Sequence, residues 1–162
     1  MKKATSILFL SLLYVMSMAQ KNQPAELQFN RLFVNDGLPE SYVTALVQDK
    51  QGYMWIGTQN GLVRYDGYAP KVYNFGINDP YKRSIGSIFL DREGRLWVGG
   101  GFETGSLYLY NRAEDRFISY KPDSSATDSL PNAINGIYQD RKGLLWLISY
   151  NYANKKGRLD RF

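Results

Sequence analysis

The chain has 162 residues, contains neither cysteine nor histidine, and carries a formal charge of +5 from 20 basic and 15 acidic residues. Its residues therefore cannot form disulfides, thiolate metal sites or histidine-dependent catalytic triads, and we expect neither a metal nor a cofactor. The basic residues occur in runs of at most two, so no nucleic-acid-binding patch is predicted. An aromatic content of 15% favours β-strands, because aromatic rings pack well on a pleated surface.

Residues 1–19 are typical of a cleaved signal peptide. Lysines at positions 2 and 3 precede an apolar run at residues 7–15, and small residues at 17 and 19 mark a cleavage site after Ala19. The apolar run is shorter than the ~20 residues that span a bilayer, which disfavours a membrane anchor. We therefore expect an exported protein without a membrane span.

The motif Asp-x-x-Gly-x-x-Trp occurs three times in the rest of the chain. Its members are Asp49, Gly52 and Trp55, then Asp91, Gly94 and Trp97, and finally Asp140, Gly143 and Trp146. The aspartate can accept hydrogen bonds from the backbone amides that follow it, and the glycine can adopt the positive φ of a tight turn. Each motif therefore predicts a hairpin, with its tryptophan on the second strand in a packing role.

Each motif belongs to a longer repeat of predicted strands. A β-branched residue leads each repeat, six positions before the aspartate: Val43, Ile85 and Ile134. Short strands separated by turn signals, with a period near 45 residues, are typical of β-propeller blades. We predict an all-β, partial β-propeller of about three four-stranded antiparallel blades over residues 20–162. Its parts are a lone strand at 28–34, blade 1 at 43–75, blade 2 at 85–120, and an incomplete blade 3 at 134–162.

The segment VTALVQDKQGYMWIGTQNGLVRYD, residues 43–66, resembles the repeat of two-component regulator propellers. Residues 29–39 also resemble the start of such sensors, whereas the third repeat departs most, with Trp-Leu-Ile-Ser in place of Trp-Ile-Gly-Thr. The resemblance implies the periplasmic sensor region of a hybrid two-component system of Bacteroidetes-type bacteria. Such regions sense an extracellular cue, often a breakdown product of a polysaccharide, and pass it to a kinase on the same polypeptide. No kinase region is recognisable here, so we expect no enzyme activity and no signalling by this chain alone.

Three blades are fewer than the usual four to eight, and an open arc leaves two apolar blade faces exposed. The sequence therefore predicts the N-terminal fragment of a sensor. Its partners are expected to be the remaining blades of a longer chain or, alternatively, other copies of itself.

The interval from the tryptophan to the leucine of the third strand grows from 7 to 10 to 13 residues across the repeats. We interpret this growth as a lengthening rim loop, because ladder positions cannot absorb insertions whereas loops can carry binding sites. The candidate ligand-binding residues are Tyr150, Asn151, Tyr152, Asn154 and Lys155, with Phe102 and Glu103 in the second repeat. Stacking tyrosines and hydrogen-bonding side chains suit an oligosaccharide or another small molecule. A solvated turn without a ligand is the alternative.

Two other functions stay open. The repeats could form a non-catalytic interaction module, or a fragment of a propeller lyase or hydrolase. The enzyme is less favoured, because histidine is absent and the three motif aspartates lie in equivalent turns of different blades, too far apart to form a carboxylate pair.

Overall fold

The structure is a computed structural model that describes residues 31–75, 78, 80–101, 106–120, 133–152 and 154–161. The predicted signal peptide and residues 28–30 of the predicted lone strand lie outside these ranges. The chain divides into two compact units, Met1–Arg31 and Leu32–Phe162, and every strand below belongs to the second. Within the described ranges, no helix has the length and apolar character needed to cross a bilayer.

Three antiparallel sheets make up the described fold. Blade 1 contains β1 (Val43–Gln48), β2 (Met54–Thr58), β3 (Gly61–Tyr65) and β4 (Pro70–Tyr73). Blade 2 contains β5 (Ile85–Leu90), β6 (Leu96–Gly100), β7 (Leu107–Asn111) and β8 (Arg116–Tyr120). Blade 3 contains β9 (Ala133–Gln139), β10 (Leu145–Asn151) and β11 (Lys156–Arg161). Each strand pairs with its sequence neighbours, so the prediction of a partial propeller with an incomplete third blade is confirmed.

The strand register is the same in all three blades. The leucine of the third strand always pairs with the residue two positions after the tryptophan, as Gly57↔Leu62, Gly99↔Leu107 and Ile148↔Leu159. The first strand of each blade also has a register shift one position after its leading residue. A β-bulge at this position bends the strand and re-aims the side chain before it.

The hydrophobic core lies between the blades. The tryptophan of blade 1, Trp55, packs with Ile85, Leu96 and other apolar residues of blade 2. Trp97 of blade 2 packs in the same way with Ile134 of blade 3. The faces between successive blades are therefore buried by the neighbouring blade, as in repeat proteins generally.

The described part of the predicted lone strand is not a strand. Residues 31–33 have no regular secondary structure, and Val34–Asp36 form a 3₁₀ turn in which the Asp36 carboxylate accepts the Phe33 N–H at 2.7 Å. A strand needs a hydrogen-bonded neighbour, and none of the described strands pairs with these residues. The segment instead places Leu32 and Leu38 against Ile56, on the side of blade 1 that faces away from blade 2. We call this side the back face of blade 1.

Candidate functional site

The aspartate of each repeated motif caps its hairpin turn. In blade 1, the Asp49 Oδ1 accepts the backbone N–H groups of Gln51 at 2.9 Å and Tyr53 at 3.1 Å. Asp91 and Asp140 accept the equivalent N–H four positions later at 2.7 and 3.0 Å. The motif glycines have φ values of 90°, 80° and 89°, which side chains adopt only with strain, so each turn requires its glycine.

A hydrogen bond between the motif's aspartate and tryptophan crosses each hairpin. The Trp Nε1–H donates to the second carboxylate oxygen, Oδ2, at 2.9 Å in all three blades. The sequence pattern predicted only a packing role for the tryptophans, although the constant spacing of six residues was a signal for this bond. Each motif is therefore one structural unit of its blade. Its aspartate is hydrogen-bonded to the turn and to the tryptophan, and not to the aspartate of another blade.

Asp49 also links blade 1 to blade 2. Its Oδ2 accepts a hydrogen bond from Arg112 at 3.1 Å, across 63 positions of sequence, and its side chain is fully buried. Burial alone would raise the pKa of this carboxyl, but the hydrogen bonds from Trp55, Arg112 and the Gln51 backbone together lower it below its ordinary value. The carboxylate is therefore ionised and fully engaged at neutral pH, which makes it unsuited to acid–base catalysis.

A second polar cluster joins the outer strands of the first two blades around Asp115. Its Oδ1 accepts the hydroxyls of Tyr73 at 2.5 Å and Tyr110 at 2.6 Å, and the guanidinium of Arg64 at 3.0 Å. Lys71 donates to the other oxygen. Burial would raise the pKa of Asp115, but these hydrogen bonds lower it well below its usual range. Burial and the bond to Asp115 raise the pKa of the Tyr73 hydroxyl. This hydroxyl therefore stays protonated at neutral pH and cannot act as a base.

The Asp115 cluster could not be predicted from the sequence. Asp115 lies 51 positions after Arg64, in a turn whose residues differ from those of blade 1, so a single sequence contains no signal for the pair. A cavity of about 420 Å³ opens beside the cluster, lined in part by Phe75, Tyr108 and Phe117. The Phe75 and Tyr108 rings stack on each other at 4.4 Å, so this cavity wall holds the two blades together.

The predicted rim loop of blade 3 is largely a β-hairpin. Residues 149–151 belong to β10, Lys156 and Gly157 belong to β11, and the pairs extend to Asn151↔Lys156. The extra residues therefore lengthen two strands instead of forming a loop, which corrects the interpretation of the interval. The interval alone could not distinguish a longer loop from longer strands, because adding equal numbers of residues to both strands leaves the pair Ile148↔Leu159 in place.

The structure brings the predicted residues of blade 3 together at the tip of this hairpin. The rings of Tyr150 and Tyr152 meet edge to face at 4.9 Å. The side-chain oxygen of Asn151 accepts the Asn154 N–H at 3.2 Å, and that of Asn154 accepts the Lys156 N–H at 3.0 Å. Both asparagine oxygens therefore shape the turn.

Lys155 occupies the left-handed region within the turn, with φ 56°. Phe102 and Glu103, the candidates in blade 2, lie outside the described residues. Their assignment to a ligand site, like that of the hairpin-tip residues, stays a prediction.

Comparison with known proteins identifies the repeat. Residues 37–60 and 80–102 match the family model described as "Two component regulator propeller". The first two repeats are therefore similar to those of two-component regulator propellers. A curated relative, "Histidine kinase P4" of Formosa agariphila, is 34% identical over 64 residues, which are 40% of this chain and 5% of that protein.

Solved structures with the same fold include two extracellular domains of hybrid two-component systems from B. thetaiotaomicron. One is 23% identical with a TM-score of 0.61, over 80% of this chain and 19% of that chain. The other is 28% identical with a TM-score of 0.52, over 67% and 15% of the respective chains. A virginiamycin B lyase of Staphylococcus aureus is 14% identical with a TM-score of 0.52, over 78% and 42%. This chain thus spans a minor part of each of these proteins.

Proposed function

We propose that the chain forms the N-terminal blades of a periplasmic propeller sensor in a hybrid two-component signalling protein. The two repeats that match the regulator-propeller family carry this proposal. The fold shared with two extracellular domains of such systems, and the histidine-kinase name of the curated relative, support it. In this proposal the blades receive an extracellular signal, and another region of the polypeptide performs the phosphotransfer, because the chain itself contains no histidine.

The hairpin tip of blade 3 is the proposed ligand contact. Its aromatic pair, Tyr150 and Tyr152, lies where β10 and β11 continue beyond the length of the blade 1 hairpin, which turns directly after Thr58. Aromatic rings beside a lysine offer a stacking surface and a hydrogen-bond donor, the combination that suits a sugar ring. The proposed ligand is therefore an oligosaccharide or another small polar molecule.

A glycan array probed with the whole chain tests this function. We expect binding to a limited set of oligosaccharides, and loss of that binding in the double variant Tyr150→Ala/Tyr152→Ala. Tyr68→Ala is the matched control, because Tyr68 is 94% exposed in the β3–β4 turn of blade 1 and its removal should leave binding intact. Equal binding by the tip variant and the control would contradict the proposed contact. No binding to any glycan would contradict carbohydrate sensing by these blades.

A non-catalytic interaction module is the second candidate. It is favoured by the apolar face of blade 3, where Tyr138, Ile148 and Leu159 are each at least 57% exposed. The lyase has only its fold in common with this chain. Among the described residues, no group of acidic side chains could hold a metal ion. These observations give no support to an enzymatic function.

A further inference from the structure

One side of blade 3 presents a largely apolar surface, which we call the blade 3 face: Tyr138, Trp146, Ile148 and Leu159. The Arg161 guanidinium lies over the Trp146 ring at 5.8 Å on this side. The register pairs Trp146 with Tyr138 and Ile148 with Leu159, and cross-strand partners lie on the same side of a sheet. Tyr138 and Leu159 are each 60% exposed and Ile148 is 57% exposed. A contiguous surface of this kind usually marks an interface.

The equivalent sides of blades 1 and 2 are each covered by the blade that follows. Trp55 is 0% exposed beneath the Tyr110 ring of blade 2, with ring centroids 4.8 Å apart. Trp97 is 4% exposed in a cluster with Ile134 and Leu145 of blade 3. In both described cases, this side of a blade is therefore covered by another blade of the same type.

A size match between two positions fixes each of these contacts. The leading residue of the following blade, Ile85 or Ile134, fits over a glycine of the preceding blade. A Cβ added to Gly57 would come within 2.7 Å of Ile85 Cγ2, and one added to Gly99 would come equally close to Ile134 Cγ2. No side chain fits there without displacement, so each covered blade needs glycine at this position.

Blade 3 has the opposite size at the equivalent position. Ile148 pairs with Leu159 as Gly57 pairs with Leu62, so it occupies the glycine column. Its partner on the first strand is Gly136, where blades 1 and 2 have Ala45 and Ser87. In blade 3 the large side chain is therefore that of Ile148 itself. A β-branched leading residue on a following blade would collide with it.

We propose that the blade 3 face docks a further blade of the regulator-propeller type whose leading residue is small, glycine, alanine or serine. This surface follows from the packing of the blades and does not depend on any ligand. A second copy of the chain is a poor occupant for two reasons. Its exposed leading residue is the β-branched Val43, and the back face of its blade 1 is covered by Leu32 and Leu38.

Size complementation in the whole chain tests the proposal. Sedimentation velocity over a concentration series would compare the wild-type chain with Val43→Gly, Ile148→Gly and the double variant. Val43→Gly gives blade 1 the small leading residue that the blade 3 face is proposed to accept, and Ile148→Gly restores the glycine of the other blades. Every form in the series, the wild-type reference included, also carries Leu32→Ser and Leu38→Ser, which remove the apolar cover from the back face of blade 1 so that a second copy can reach it.

We expect each single variant to self-associate head to tail with a Kd about tenfold lower than that of the wild-type chain, since one overfilled contact typically costs this factor. The double variant should return towards the wild-type Kd, because two small residues leave a cavity. Leu159→Gly is the control: it removes apolar surface beside Ile148 without creating the glycine position, and should weaken association. Equal association of all forms, or a double variant that associates more tightly than both single variants, would overturn the proposal. Far-UV circular dichroism confirms that each variant is folded.

Discussion

Blades 1 and 3 contain the same Asp-x-x-Gly-x-x-Trp hairpin in two different surroundings. The Trp Nε1–H to aspartate distance is 2.9 Å in both, and both turns have the same capping bonds. In blade 1 the tryptophan is completely buried against blade 2, whereas in blade 3 it is half-buried. The comparison separates two contributions, because the local hydrogen bonds form without a covering blade while the burial depends on one.

Truncating the tryptophans should give the largest difference between the two surroundings. We expect Trp55→Ala to lower the free energy of unfolding by about 3–5 kcal/mol, because it empties a packed contact between blades. Trp146→Ala should cost about half of that or less, since a half-exposed ring contributes less transfer free energy. Urea denaturation followed by circular dichroism measures both. Equal losses would mean that the blade interface adds nothing to the hairpin.

Filling a glycine position tests the contact between blades 2 and 3. A Cβ at Gly99 would lie 2.5 Å from the Ser87 Oγ and 2.7 Å from the Ile134 backbone oxygen, so Gly99→Ala should lower the free energy of unfolding by about 1–3 kcal/mol. Gly157→Ala is the matched control, because its Cβ would meet only the Ser149 oxygen at an ordinary 3.9 Å. Thermal melts of the two variants give the comparison. A Gly99→Ala variant as stable as Gly157→Ala would contradict the close approach of the blades.

An isosteric change of the motif aspartate tests the hydrogen bonds themselves. Asp49→Asn replaces one accepting oxygen with an NH₂ group, which leaves the buried Trp55 N–H and Arg112 without a carboxylate. We expect a loss of about 2–3 kcal/mol in the free energy of unfolding, as for a buried donor left unsatisfied. Asp140→Asn should cost much less than Asp49→Asn, because water can reach its half-buried site. Denaturant titrations that show the same loss for both would refute the role of burial.

The difference between the blades also explains how far the sequence could be interpreted. The motif, strand order and blade count were predictable, because they depend on local turn chemistry and on columns that repeat. The link from Arg112 to Asp49 and the Asp115 cluster were not, since Arg112 and Asp115 lie in a turn that does not repeat and make their bonds across a blade interface. The hairpin tip of blade 3 was predicted as a loop. In a single sequence, an insertion that lengthens two paired strands equally looks the same as one that lengthens the loop between them. Its residues lie together, yet only the structure showed that Asn151 and Asn154 shape the turn.

Acid should weaken the blade 1–blade 2 contact gradually, with the smallest effect of the four. The pKa of Asp49 is lowered in the folded state, so its stabilising contribution is complete above the unfolded-state pKa of about 3.9 and is lost as the pH falls through the lower folded-state pKa. The Asp115 cluster acts in the same direction, with its effect reduced by solvent because its side chain is 36% exposed. We expect the melting temperature to be nearly constant from about pH 7 to pH 5 and to fall below about pH 4.

The Asp49→Asn and Asp115→Asn variants identify the groups responsible for this fall. Asparagine does not titrate, so each variant should start from a lower melting temperature at pH 7 and lose less of it on acidification. Asp160→Asn, which changes a carboxylate outside this contact, should keep the wild-type slope. The combined variant Asp49→Asn/Asp115→Asn should be the flattest, since the two carboxylates bind different partners on the same blade interface. A combined variant whose melting temperature falls with pH as steeply as that of the wild-type chain would mean that the acid-sensitive contacts lie elsewhere. The stability difference between blade 1 and blade 3 would then not depend on these two carboxylates.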